Sequence, residues 1–209
     1  MDERLRAVER RWQASGSLED EAAYLVERVR QGDLTPERLE LAAHVGYEPA
    51  RQALLTGPPE LRLLDAATRM PVADPRALLR GLMGRSREGL ARYAVAVAQQ
   101  RLGSLAMLTA HAALIATEQW IECPCDQHAD SAAQMADALW EMLVNDVTQL
   151  PSDAREALYA TALAAFVPSC PGEGTWVQPE SYVHLLAHEK PGDRDAGVRA
   201  VTDWALRPN

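Results

Sequence analysis

The chain has 209 residues, 47% of them hydrophobic, with a single Phe (Phe166), few Ile and abundant Ala and Leu. That size suits one domain or two small ones with a real core, and the scarcity of β-branched and aromatic residues favours helix over strand. A net charge of −9 opposes binding to nucleic acid, no run approaches the ~18 apolar residues of a membrane span, and three cysteines are too few for a disulfide framework.

The chain opens with "MDERLRAVERRW", a charged amphipathic stretch without the apolar core of a signal peptide. The expected location is therefore the cytoplasm, where cysteines stay reduced. Leu5, Val8 and Trp12 share one face of a first helix that Gly16 ends. Ser17 with Asp20 offers a capping box for "LEDEAAYLVERVRQG", whose apolar stripe is Leu18, Ala22, Leu25, Val26 and Val29. Thr35-Pro36 is an N-cap with proline at the first helical position, opening "PERLELAAHVG". Gly46 is its expected left-handed C-cap. "EPARQALL" and "PPELRLLDAATRM" read as two further helices, and Asp74-Pro75 opens "PRALLRGLMG".

Longer helices follow over residues 86–101, 104–122 and 127–149, and Pro151-Ser152 starts "DAREALYATALAAFV". Residues 168–179 are irregular, and two last helices are expected near 180–189 and 194–206. The expected fold is all-α, about ten helices in a series of antiparallel hairpins, helical-repeat-like or an orthogonal bundle, with no sheet. It reads as one domain over 1–209, with a possible subdivision into 1–70 (short hairpins) and 71–209 (longer helices). Leu25, Leu41, Leu114, Trp120, Leu139 and Leu163 lie on apolar stripes and are expected in the core.

Two resemblances emerge. "LTPERLELAAHVGYEPARQALL" is similar to the helical part of an ankyrin repeat, with Ala42, Ala43 and Gly46 where close packing needs small residues. It occurs once, whereas an ankyrin array needs several copies to bury a core. The whole chain resembles a group of uncharacterised helical bacterial proteins through its N-terminal helix pair and the W-x-x-C-P-C-x-x-H junction at Trp120–His128. That resemblance implies no site residues.

Within the junction, Cys123, Cys125 and His128 are candidate zinc ligands, with His111, Asp126 or Cys170 as a conceivable fourth. A Cys-x-Cys spacing misses the usual zinc-finger patterns and is not the Cys-x-x-Cys of a dithiol oxidoreductase. The expectation is a helix-to-helix turn without metal. Pro124 ends one helix, Asp126 N-caps the next, and the two thiols are small buried groups. His184 and His188 share a helix face four residues apart, but position 185 is Leu and the Glu of H-E-x-x-H is missing; Glu189 follows instead. "GEGTW" at 172–176 lacks the Lys-Ser/Thr of a phosphate loop, and no Glu stands three residues before a histidine as in a di-iron bundle. Trp120 and Trp140 are expected in the core. Trp176, in the irregular segment, is the interaction candidate.

The functional expectation is a non-enzymatic protein-interaction scaffold, adaptor or regulator, with no catalytic residue and no cofactor. Its partner is another protein, not nucleic acid or membrane. A specific alternative is a small acidic inhibitor or immunity protein that neutralises a basic toxin. A second alternative is a metal-binding enzyme or sensor built on the Cys-Pro-Cys-x-x-His junction.

Overall fold

A computed structural model describes residues 3–62, 74–103, 105, 107–146, 149–169 and 190–207. It is all-helical, and no strand occurs among the described residues. Short helices come first: Glu3–Ser15 (α1), Leu18–Arg30 (α2), Pro36–His44 (α3), Glu48–Thr56 (α4) and the four-residue Pro59–Arg62 (α5). Then follow Pro75–Arg85 (α6), Arg87–Leu102 (α7), Leu108–Glu122 (α8), Asp126–Asp146 (α9), Ser152–Phe166 (α10) and Asp193–Ala205 (α11).

The chain divides into two compact units, residues 1–81 with 201–209, and residues 82–200. In the first, α2 packs against α1 and α4, and α3 pairs with α4. The helix ends follow local chemistry. Ser17 accepts a hydrogen bond from the Asp20 amide at 3.2 Å, but the box is half-closed, because the Asp20 carboxylate instead takes the Ser15 hydroxyl. Thr35 accepts from the Arg38 amide at 3.3 Å, with Pro36 at the first helical position. Gly46 has φ +100°, and the Tyr47 and Gly46 amides reach back to the Ala42 and Ala43 carbonyls at 3.0 and 3.1 Å. That double bond is a Schellman motif and uses carbonyls the helix leaves orphaned. Glu27 and Arg28, which are not on the apolar stripe of α2, are buried. Arg4 and Arg30 pair with Glu27, while Arg28 pairs with Asp33 and donates to the Leu206 carbonyl.

In the second unit α10 is central and packs against α7, α8 and α9. Its run from Ala160 to Ala165 is buried on every side, as expected of a helix apolar all round. The Thr161 hydroxyl donates to the Ala157 carbonyl at 2.8 Å, so the one polar group in that run is satisfied internally. Alanines at 154, 157, 160, 162, 164 and 165 let neighbouring backbones approach closely. Leu25, Leu41, Leu114, Trp120, Leu139 and Leu163 are all buried. Trp140 is only half-buried and meets Tyr159 edge-on at 5.0 Å, so it borders the core instead of filling it.

Two differences in helix boundaries from the sequence reading bear on the site. α8 starts at Leu108, not at 104, because Gly103 turns the chain at φ +48° and the Leu105 and Met107 amides close short turns. α9 starts at Asp126, whose side chain therefore lies in the first turn. The N-cap position falls to Cys125, whose carbonyl receives the first helical bond from Ala129. Asp126 then acts on the helix through charge–dipole attraction, not as an acceptor for orphan amides. Trp176, Cys170, His184, His188, Glu189, the "GEGTW" stretch and the helix expected near 180–189 lie outside the described residues.

Candidate functional site

The α8–α9 hairpin gathers the features that packing leaves unused. α8 buries Ala110, Ala113, Leu114, Thr117, Trp120 and Ile121. Its opposite face carries Leu108, His111, Ala112 and Ile115, spaced to fall on one side of a helix and all exposed. Leu108 is 88% exposed and Ile115 55%. The His111 ring donates from Nδ1 to the Met107 carbonyl at 2.9 Å, which folds it onto the first turn.

α9 presents Asp126, Asp130, Asp137 and Glu141 to solvent along one stripe. From Leu108 to Asp146 the hairpin carries seven acidic residues and neither Lys nor Arg. One side is thus apolar and another strongly acidic. At the end of α9 remote from the junction, Val144 is also exposed, at 73%.

The junction itself is a tight turn. Pro124 stops α8 at Glu122, and the Cys125 amide donates to the Cys123 carbonyl at 2.8 Å, an i→i+2 closure. His128, one turn into α9, points back at the same place. Its Nδ1 donates to the Cys123 carbonyl at 3.0 Å and lies 3.5 Å from Cys125 Sγ. One ligand atom from each of Cys123, Cys125 and His128 lies within 4.8 Å of the others. Both cysteines are free thiols; Cys123 is exposed and Cys125 half-buried. The expectation that they are buried apolar groups is overturned, because the turn lies at the hairpin tip, where nothing covers Cys123. The neighbouring Cys125 thiol, by hydrogen bonding first and by charge second, raises the Cys123 thiol above its ordinary range.

His111 does not join this group. It precedes Cys123 by about three turns, roughly 18 Å of helix. A concavity of about 720 Å³ in the first unit is lined by Arg4, Arg11, Arg30, Glu19 and Glu27 among others. Its arginines are engaged by Glu27 and Asp20, so it offers no surplus positive charge to an anion.

No family model, curated protein or solved structure matches the chain. The functional reading therefore rests on the hairpin alone. The apolar face of α8 escaped the sequence reading because the helix is apolar on nearly all sides, so its pattern does not say which side faces solvent. The acidic stripe of α9 recurs at four- and seven-residue steps, a signal present in the sequence that the sequence analysis did not use.

Proposed function

We propose that this chain is a protein-interaction module whose α8–α9 hairpin docks a basic, amphipathic segment of a partner protein. The observation that carries this reading is the exposure of Leu108 and Ile115 on one face of α8, beside a hairpin with seven acidic residues and no basic one. An apolar anchor rimmed by one sign of charge suits a partner with the complementary arrangement, and the charge favours fast encounter. Among the described residues no helix is long and apolar enough to cross a membrane, which is consistent with a protein partner. If the partner is a basic enzyme or toxin held inactive, the module is an inhibitor; a set of unrelated partners makes it a scaffold.

A photo-crosslinking residue at Ile115, in cells that natively express the protein, tests the surface. The expected result is one or a few discrete basic partners, absent when the crosslinker sits at exposed Glu37 on α3. Against the identified partner, changing Leu108 and Ile115 together to Ser removes about 3 kcal/mol of apolar burial, a loss of about a hundredfold in affinity. Equal crosslinks from both positions, or unchanged affinity, would remove this surface from the function.

A further inference from the structure

The docking surface leaves the hairpin tip unexplained, and the tip has its own chemistry. Two thiols and an imidazole converge within 4.8 Å at a solvent-facing turn. Tetrahedral zinc holds sulfur at about 2.3 Å and imidazole nitrogen at about 2.0–2.1 Å, which sets a sulfur–nitrogen edge of about 3.6 Å and a sulfur–sulfur edge of about 3.8 Å. Cys125 Sγ and His128 Nδ1 already stand 3.5 Å apart. The Cys123 sulfur is close enough for a side-chain rotation to complete the triangle.

We propose that Cys123, Cys125 and His128 form a three-ligand zinc site with its fourth position open. The ligand set selects the ion: thiolate and imidazole suit zinc, whereas calcium and magnesium demand oxygen donors. The site is built from six consecutive residues, and its geometry is set locally by the Pro124 turn and the start of α9. Binding takes one proton from each thiol into solvent; the Nδ1 proton that bonds the Cys123 carbonyl is also released while Nε2 takes one up, so the neutral ring offers its Nδ1 lone pair to zinc. No fourth Cys, His, Asp or Glu joins the group among the described residues. Three protein ligands with an exchangeable fourth position is the arrangement of a reactive or ligand-accepting zinc, not of a closed structural one. The fourth donor is then water, or a thiol, imidazole or carboxylate from a bound molecule.

The test uses the full chain, reduced and stripped of metal. Zinc is titrated against a chromophoric chelator, and cobalt(II) serves as the spectroscopic probe. The expected result is one equivalent of zinc with Kd below roughly 1 μM, and a cobalt spectrum with thiolate charge transfer and intense tetrahedral bands. Changing Cys123 and Cys125 together to Ser lowers affinity by at least about a hundredfold, and His128→Ala by about tenfold or more. Replacing Cys170, His184 and His188 with Ala leaves binding unchanged. Four results overturn the site: no binding at micromolar protein, a cobalt spectrum without thiolate charge transfer, zinc retained by the double serine variant, or uptake of copper(I) without zinc. A far-UV spectrum confirms that the serine variant keeps its helices. If it does not, the wild-type cobalt spectrum decides.

Discussion

Gly197 lies in α11 with its α-carbon against the ring of Tyr93 on α7. A Cβ added there would lie 2.4 Å from Tyr93 Cε2, 2.5 Å from Cδ2 and 2.7 Å from Cζ. Carbon atoms in favourable contact stand about 3.5–4.0 Å apart, so Gly197→Ala requires the ring or the helix to move by roughly 1 Å. Tyr93 is 2% exposed and has little room to yield. Two effects oppose each other. Alanine improves helix propensity by about 1 kcal/mol, and overpacking a tight core costs about 1–3 kcal/mol. With three ring atoms inside contact distance, overpacking wins, and Gly197→Ala should destabilise by about 1–2 kcal/mol. For a chain of this length that lowers the thermal midpoint by about 2–8 °C. Tyr93→Leu removes the obstructing ring edge, so a double-mutant cycle should return a coupling of about 1 kcal/mol, with alanine tolerated at position 197 once the ring is gone. If Gly197→Ala raises the midpoint in the wild type, propensity governs the position and the packing argument is wrong.

At Gly46 the space is open, since nothing lies within 4 Å of an added Cβ, so the cost of substitution is conformational alone. Gly46→Val should destabilise by about 1–2 kcal/mol in urea unfolding, because a β-branched residue is forced to positive φ; an unchanged midpoint would count against the cap. Arg101 and Asp193 form an ion pair at 2.8 Å with side chains 2% and 3% exposed. Arg101→Met leaves a buried carboxylate uncompensated and should cost about 3–5 kcal/mol by the same assay; a loss under about 1 kcal/mol would show that water reaches the pair.

Much of this protein is written locally. The Ala–Leu bias, Thr35-Pro36, Ser17 and Gly46 determine helices and their ends, because capping and left-handed turns depend on residues a few positions apart and need no tertiary partner. Leu25, Leu41 and Leu139 were legible as core for a similar reason: a strong apolar stripe on an otherwise polar helix has one way to face. Other features only the tertiary structure decided. α8 and α10 are apolar nearly all round, so periodicity cannot choose a buried side. α10 became the centre of its unit, while α8, with neighbours on one side, left Leu108 and Ile115 in solvent. Glu27, Arg28, Arg101 and Asp193 are charged residues whose burial also needs partners distant in the chain: Arg4 for Glu27, the Leu206 carbonyl for Arg28, and Asp193, 92 positions beyond Arg101, for Arg101. The Cys123–Cys125–His128 cluster stands between these cases. Its residues are neighbours in sequence, but whether three side chains meet depends on the dihedral angles of one turn. Pro124 and the first turn of α9 set those angles, and the Cys-x-Cys spacing alone does not encode them.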